Sequence, residues 1–430
     1  MNLPFNRGAL RANLPLALLV AGALLVGFGV GAAIFPLGGD DVGEAAATPT
    51  MSNAMPGMTM PGMTDSSGTS TLPAHPVAGN FKPDDTKLAE CRGDQRCYEQ
   101  ALGNIAYYEG PPAAFRVFDQ AMQSDTAFRS GCHRVAHTIG SAALARYHGN
   151  VAEAFIRGSS SCASGYYHGI LEHSFLQADA QTVDDFGAVA RDLCSDPKVH
   201  DQPFLLFQCI HGLGHGLMIR SGYDMPFSLE VCDKLETDWD RRSCHGGVFM
   251  ENISSSYGIR SQWLRDDDLI YPCRTIKESQ KEGCYLIVTS RILAANGYNW
   301  ADAARVCRTS DPSWVATCFQ SFGRDAAGVT LFDAAKAADL CLVAGDQAPE
   351  CFYGAARAIA NNHAEPATAK PLCELAPKPS KPRCYEGIGT YVQNFNLTRE
   401  TRRAACARIT DAYFKECLLG AGERAPGVSA

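Results

Sequence analysis

The stretch CFYGAARAIAN, residues 351–361, shows the pattern from which the fold can be predicted. It begins at a cysteine, continues with two aromatic residues and a glycine, and ends in an alanine-rich run. Alanine has the highest helix propensity of all residues and the run contains no proline, so the sequence predicts a helix here. Similar segments, often with an aromatic residue after the cysteine and usually with a small residue three positions on, begin at Cys244, Cys318, Cys384 and Cys417. The stretch is therefore one copy of a repeated helical unit.

The spacing of the cysteines gives the length of the repeat. From Cys209 to Cys417, the cysteines that begin these segments lie 35, 40, 34, 33, 33 and 33 residues apart. Each is preceded by a partner cysteine, and in the last five pairs the two are 10 or 11 residues apart. A period of 33–34 residues is that of a two-helix repeat, and such periods mark solenoids. The sequence predicts an all-α domain over residues 86–420, built as a row of helical hairpins, with a flexible tail over residues 421–430.

The number of cysteines indicates a compartment as well as an architecture. The chain has 430 residues and 18 cysteines, which would be unusual as free thiols in the cytosol. We expect a disulfide framework in an oxidising compartment, the periplasm or the cell exterior. Pairing between neighbours would stabilise each hairpin by roughly 2.5–3 kcal/mol in the chain-entropy model, although spacing alone leaves the connectivity open. The cysteines expected to form disulfides are Cys91, Cys97, Cys132, Cys162, Cys194, Cys209, Cys232, Cys244, Cys273, Cys284, Cys307, Cys318, Cys341, Cys351, Cys373, Cys384, Cys406 and Cys417.

The first cysteines are less regular than the others. Cys91 and Cys97 are close enough in sequence to pair around a tight loop. Cys132 and Cys162 each precede a helix-like segment and have no near partner, so we expect them to pair with each other across adjacent repeats.

Glycine at a fixed repeat position predicts close helix packing. Gly354 and Gly387 each lie three residues after a repeat cysteine, where glycine costs a helix roughly 1 kcal/mol relative to alanine. We therefore expect the neighbouring helix to approach closely at this position. The predicted architecture resembles α-solenoids of the Sel1 and tetratricopeptide types, although their consensus residues are not present.

The N-terminus is predicted to anchor the protein in a membrane. Residues 14–38 are apolar and uncharged, and about 20 such residues span a bilayer as a helix. Two arginines precede the span and acidic residues follow it, which places residues 1–13 in the cytoplasm and the remainder outside. The alternative is a long cleavable signal, cut near Ala32 or within residues 45–47.

A methionine-rich linker is predicted between the anchor and the repeats. Residues 40–85 are rich in Gly, Pro, Ser, Thr and Ala, and such a segment cannot bury enough apolar surface to fold. The linker contains MPGMTMPGM, whose thioethers are soft ligands that select Cu(I) over hard cations. These nine residues resemble the Met-rich copper motifs of copper transporters and copper-resistance proteins, which implies copper as the metal. The alternative is a low-complexity linker without a ligand. The candidate ligands are Met55, Met58, Met60 and Met63.

The histidines concentrate in the first half of the repeat domain. Seven of the 11 lie between positions 133 and 245, and two pairs have the i, i+4 spacing that puts both rings on one face of a helix. Counted from the cysteine of each repeat, two histidines and a methionine share position plus six, and equivalent positions stack in a solenoid. The alternative is a set of buried histidines that each bond to their own backbone. The candidate metal ligands of the repeats are His133, His137, His168, His211, His215, His245 and Met250.

Other polar residues extend the row of stacked histidines along the repeats. Glu172 and Glu251 follow the histidines closely and are expected to orient the rings or to bind the metal themselves. In later repeats position plus six holds Ser290, Arg324 and Arg357, so the row changes from imidazole to guanidinium.

Composition and missing motifs narrow the function. The net charge of −8, without a long basic run, argues against nucleic acid as a partner. HExxH, Walker and Gly-x-Ser-x-Gly motifs are absent, which favours a protein without catalytic activity. We expect a membrane-anchored, extracytoplasmic copper-handling protein. The alternatives are a scaffold that binds a protein partner in the solenoid groove, and a metal-dependent hydrolase using His211, His215 and Glu251.

Overall fold

The computed structural model describes residues 81–256 and 259–423, and these form an all-α domain without strands. The predicted anchor at residues 14–38, the methionine cluster and most of the linker lie outside the described residues. Within the described part of the chain, no helix combines the length and the apolar character that a bilayer crossing needs.

The helices form two layers. The inner layer stacks one helix of each repeat on the next, in chain order, and the outer helices pack on its convex side. The inner helices are α1 (Gln95–Tyr108), α3 (Thr126–Arg146), α5 (Gly165–Gln177), α8 (Pro203–Arg220), α10 (Asp238–Ile253), α11 (Glu278–Tyr285), α12 (Val288–Ala295), α14 (Val315–Val329), α16 (Ala348–His363), α18 (Lys381–Phe395) and α20 (Phe414–Gly420). The outer helices are α2 (Pro111–Ser124), α4 (Val151–Phe155), α6 (Val183–Leu193), α7 (Pro197–His200), α9 (Met225–Cys232), α13 (Trp300–Cys307), α15 (Ala334–Leu342), α17 (Lys370–Leu375) and α19 (Arg399–Ile409).

All of the expected cysteine pairs are present. Nine disulfides use all 18 cysteines. Six of the repeat disulfides join the end of an outer helix to the first turns of the next inner helix, as the spacing predicted, whereas Cys273 lies in a turn and pairs with Cys284 near the end of α11. They are Cys91–Cys97, Cys132–Cys162, Cys194–Cys209, Cys232–Cys244, Cys273–Cys284, Cys307–Cys318, Cys341–Cys351, Cys373–Cys384 and Cys406–Cys417. Since disulfides persist in oxidising compartments, this framework indicates an extracytoplasmic environment.

Local sequence signals fix where the inner helices start. Helix α10 begins with a capping box, in which Asp240 N donates to Thr237 Oγ1 at 3.0 Å and Thr237 N donates to an Asp240 carboxylate oxygen at 3.2 Å. Helix α8 begins at Pro203, which needs no intrahelical partner for its missing N–H. Both helices therefore enter the inner layer at a defined residue.

Paired glycines allow the inner helices to touch through their backbones. A Cβ atom on Gly247 of α10 would lie 1.9 Å from the carbonyl oxygen of His211 on α8, and one on Gly214 would lie 2.2 Å from the Cys244 carbonyl. The predicted contact at Gly354 is of the same kind, since its Cβ would lie 1.9 Å from the Gln320 carbonyl. No side chain fits at these positions, so the glycines set the distance between helices.

The repeats curl until two distant parts of the domain meet, whereas the sequence predicted an open row with a groove. Phe204 on α8 stacks on Phe395 of α18, with ring centroids 4.8 Å apart. Nearby, Gln208 Nε2 donates to Asn361 Oδ1 of α16 at 3.3 Å. The inner helices consequently surround a partly open cavity of about 530 Å³.

Candidate metal centre

Five histidines from three consecutive inner helices lie together on the concave side. Helix α3 supplies His133 and His137, α5 supplies His168, and α8 supplies His211 and His215. Their ring nitrogens form two groups of three, each with its ligand atoms within 4.8 Å of one another, and His168 belongs to both groups. Spacing within a helix and repeat register between helices thus bring these rings into one cluster, as predicted.

The first group is built around two facing nitrogens. His133 Nε2 and His137 Nε2 are 3.0 Å apart, and both rings lie 5.4 Å from the His168 ring, centroid to centroid. In a tetrahedral site with metal–nitrogen distances of about 2.0–2.1 Å, two ligand nitrogens lie about 3.3 Å apart. The separation of these two nitrogens is therefore close to that of ligands sharing one ion.

The second group packs more tightly between α5 and α8. The rings of His168 and His215 stack with centroids 4.0 Å apart and planes 16° from parallel. The His211 ring lies 5.3 Å from that of His215 and 5.4 Å from that of His168. His168 is thus in ring contact with all four of the other imidazoles.

The Nδ1 atom of each outer ring lies against an acceptor. His133 Nδ1 lies 2.9 Å from the Cys162 carbonyl oxygen, and His211 Nδ1 lies 3.2 Å from the Ser243 carbonyl oxygen. Because a carbonyl only accepts, both Nδ1 atoms carry the proton, which leaves Nε2 unprotonated in each neutral ring. This is the arrangement by which proteins orient histidine ligands toward a metal. Nε2 of His133 faces His137 Nε2 at hydrogen-bond distance.

Two carboxylates complete the set of acceptors. His215 Nδ1 lies 2.9 Å from a Glu251 carboxylate oxygen. His137 Nδ1 lies 2.7 Å from Glu172 Oε1, at ion-pair distance although not aligned as a hydrogen bond. The predicted orienting role of both glutamates agrees with these contacts.

Glu251 is itself held in place. Tyr223 donates its hydroxyl to Glu251 Oε1 at 2.8 Å, and Ser256 donates its amide to the same oxygen at 2.8 Å. The Ser256 hydroxyl donates to Oε2 at 2.6 Å. The carboxylate is fully buried with four donors around it, so its position and that of His215 are rigid.

Burial keeps the imidazoles neutral. It lowers the pKa of His133 and of His137 to about 4, and the pKa of His211 to about 3. Burial also lowers the pKa of His168 and of His215 well below the ordinary value, and the neighbouring histidines act in the same direction. At neutral pH the cluster therefore presents unprotonated nitrogens, the form that binds metals.

Four ring nitrogens of the cluster have no hydrogen-bond partner among the described residues. They are both nitrogens of His168, Nε2 of His215, and Nδ1 of His137, which lies at ion-pair distance from Glu172. A buried polar group left unsatisfied costs about 1–3 kcal/mol. His168 is the residue at the centre of the cluster, and neither of its nitrogens has a partner.

The cluster is reached from the cavity. His168 and His211 line its wall together with Met250, which extends the row of histidines as the register predicted. At the other end of the cavity lie Arg324 and Arg357, from the same repeat position. The cavity is therefore lined both by the histidines and by the arginines that occupy the sixth position after the repeat cysteine.

His245 does not join the five histidines. Its Nε2 lies 2.9 Å from Asp233 Oδ1, on the side of α10 that packs against α9. The predicted ligands Met55, Met58, Met60 and Met63 lie outside the described residues, so the structure does not relate them to the cluster.

Sequence reasoning missed several of the groups that hold the rings. The acceptors of His133 and His211 are backbone carbonyls, and a carbonyl gives no residue-type signal. Tyr223 and Ser256 reach Glu251 from segments whose path the repeat pattern does not predict.

Comparisons with protein-family models, with curated proteins and with solved structures find no match to this chain.

Proposed function

We propose that this protein binds a transition-metal ion, copper, at the five-histidine centre, as a membrane-anchored copper-handling protein outside the cytoplasm. One observation carries the proposal: four imidazoles have Nδ1 against an acceptor, while His168, at their centre, has two buried nitrogens without partners. A metal ion would take up the free lone pairs. The two groups around His168 provide room for one ion or for two.

The choice of copper rests on ligand chemistry. Imidazole nitrogen suits copper, zinc, nickel and iron, so the cluster alone does not select among them. The methionine-rich segment before the repeats favours Cu(I), and it lies on the same side of the predicted anchor as the histidines. Since all 18 cysteines form disulfides, no thiolate competes for the ion.

The burial of the centre supports a role in holding or transferring the ion. His137, His168 and His215 are each less than a tenth exposed, so an ion must enter through the cavity, whose wall includes His168 and His211. The methionines of the predicted linker would capture copper and the buried histidines would hold it. Sequestration, delivery and resistance are the functions that such a chain serves.

The test measures bound copper in the full chain, purified in detergent. Cu(I) is added in competition with a colorimetric Cu(I) chelator. The amount of bound metal is measured by inductively coupled plasma mass spectrometry. The triple variant His137→Ala, His168→Ala, His215→Ala should lose the tightest site, whereas Met55, Met58, Met60 and Met63→Ser should lose only the weaker one.

Zn(II) and Ni(II) titrations distinguish the metals. Copper binding that is unchanged in the histidine variant would overturn the proposal, and so would a centre that prefers Zn(II) or Ni(II) over copper. The exposed His200 lies outside the cluster, and His200→Ala is the matched control for loss of a histidine.

A further inference from the structure

The arginine end of the cavity has a charge that the protein does not neutralise. Three guanidinium groups line the cavity, those of Arg242, Arg324 and Arg357, against the two carboxylates of Glu282 and Asp325. Arg242 pairs with Glu282 at 3.4 Å, and Arg324 pairs with Asp325 at 2.6 Å. One positive charge, that of Arg357, is left over.

Arg357 lacks a carboxylate partner and lines the cavity. No carboxylate of the described residues lies within ion-pair distance of it, and its Nε is buried without a hydrogen-bond partner. Glu350, two turns earlier on the same helix, is engaged by Arg383 at 3.0 Å. Arg220 has a similar buried Nε, but it does not line the cavity. A guanidinium that faces a cavity with a buried, unused donor is suited to a ligand anion.

Helix contacts place this guanidinium opposite the histidines. Gln208 and Asn361 bond across the cavity, and they lie on the same helix faces as His211 and Arg357, three and four residues away. Arg324 is close enough to His211 to contribute to the lowering of the pKa of that ring. A ligand at the arginines would therefore lie beside the metal centre.

Aromatic side chains form part of the wall. Phe207 stacks on His211 with ring centroids 5.6 Å apart, and Trp239 lies next to it at 6.1 Å. Phe332 lines the cavity as well. Its volume of about 530 Å³ is within the range of small-molecule sites, about 300–1,000 Å³. Apolar walls with a few converging polar groups are typical of such sites.

We propose that the cavity binds a small organic carboxylate, with its anionic group on Arg357 and Arg324 and its apolar body against Phe207 and Trp239. The single uncompensated charge matches a monoanion, whereas phosphate carries between one and two negative charges at neutral pH. The planar fork of arginine pairs bidentately with a carboxylate. Any contact between this anion and a copper ion at the histidines rests on the proposed function. Binding of the anion by the arginines does not depend on that function.

The experiment uses benzoate as the probe, with the full chain in detergent and titration calorimetry. Benzoate should bind to the metal-free protein, and Arg357→Gln should weaken it at least tenfold. Arg357→Lys, which keeps the charge and loses the fork, should bind with intermediate affinity. Arg305→Gln is the matched control, because Arg305 is exposed and pairs with Asp302 on its own helix. Circular dichroism and the melting temperature establish that each variant is folded.

Several outcomes would overturn the inference. These are no binding of benzoate at millimolar concentration, equal binding by Arg357→Gln, an equal loss in Arg305→Gln, and inorganic phosphate binding more tightly than benzoate. A repeat with the copper-loaded protein should give tighter binding of benzoate, since the ion adds positive charge. Copper stoichiometry is measured in parallel, so failure of the metal centre and failure of the anion site are separate results.

Discussion

The histidine repeats and the arginine repeats share one scaffold and differ in the side chain that faces the cavity. Six residues after the repeat cysteine, the first half has His168 and His215 and the second has Arg324 and Arg357. Both halves have the same disulfide between helix ends and the same glycine contact between inner helices. Cysteine and glycine thus set the helix spacing, which leaves the inward position free to carry either chemistry.

The two halves also treat polar groups differently. In the arginine half, Arg324 bonds to the Ser290 hydroxyl at 2.5 Å and pairs with Asp325, which also accepts from Thr289. In the histidine half, the outer rings have partners but the central ring has none among the described residues. Protein partners therefore engage Arg324, whereas the buried nitrogens of His168 cost stability unless a ligand is bound.

The largest expected effect comes from removing the ring that both groups share. In a chain with Met55, Met58, Met60 and Met63 changed to Ser, His168→Leu should weaken copper binding by more than about 100-fold, because even orienting residues cost 10–100-fold. Metal-free His168→Leu should melt no lower than its parent, since two unsatisfied nitrogens disappear. Chelator competition and calorimetry measure the two effects. An unchanged affinity would contradict the role of His168, and His200→Leu is the control.

A smaller effect is expected from the residue that orients His215. Glu251→Gln keeps the size of the side chain but replaces a carboxylate that accepts from His215, Tyr223 and Ser256. Copper affinity should fall about 10–100-fold, measured by the same competition. Glu236→Gln, at an exposed position, should leave it unchanged. Equal affinities for both variants would show that Glu251 does not orient the metal ligand.

Substitutions at the glycine contacts distinguish effects on helix packing from effects on copper binding. Gly247→Ala and Gly354→Ala each place a Cβ 1.9 Å from a carbonyl oxygen, so both should lower the free energy of unfolding by about 1–3 kcal/mol. Only Gly247→Ala, beside His211, should also weaken copper binding. Gly328→Ala is the control, because its Cβ meets nothing within 4 Å. Equal losses of copper affinity in the two halves would show that the effect is general unfolding.

Acid should affect the halves in opposite directions, which is the smallest of the expected effects. The histidines of the metal-free centre have folded pKa values of about 4 and 3, below the unfolded value of 6.5, so the unfolded state binds more protons between these limits. The contribution of the histidine half to the free energy of unfolding is therefore greatest above pH 6.5 and falls as the pH drops toward 4. Burial raises the pKa of Asp325, so protonation there favours the folded state as the pH falls.

Hydrogen exchange at pH 7, 5.5 and 4.5 measures this difference region by region. Protection should decline in α3, α5 and α8 and should be retained in α14 and α16. Loss in α14 and α16 ahead of the histidine helices would contradict the pKa argument. The five-histidine cluster loaded with copper should resist the decline, because bound metal keeps the rings unprotonated.

Much of this comparison could be predicted from the sequence. The period of the cysteines predicted the repeat disulfides. The i, i+4 spacing of histidines, together with their positions counted from the repeat cysteine, predicted that His137, His168 and His215 lie together. The glycine three residues after the cysteine predicted the close helix contact. Each of these depends on one repeat and its neighbour, and neighbour relations are what a repeated sequence records.

The closure of the array could not be predicted in this way. The contact between Phe204 and Phe395 depends on small rotations summed over many repeats, and no local pattern records that sum. The cavity, and the position of Arg357 across from His211, follow from this closure. Sequence reasoning therefore anticipated the histidine cluster, for which a metal stays a prediction, but expected a groove where the structure has a partly enclosed cavity.

The order of the disulfides has a consequence for how the molecule matures. Every one of the nine bonds joins a cysteine to the next one along the chain. If the repeats are exported in chain order, an oxidant that couples thiols in their order of arrival gives the native set without any rearrangement. Each hairpin can then be locked before the following one has emerged, so no exchange between disulfides is required.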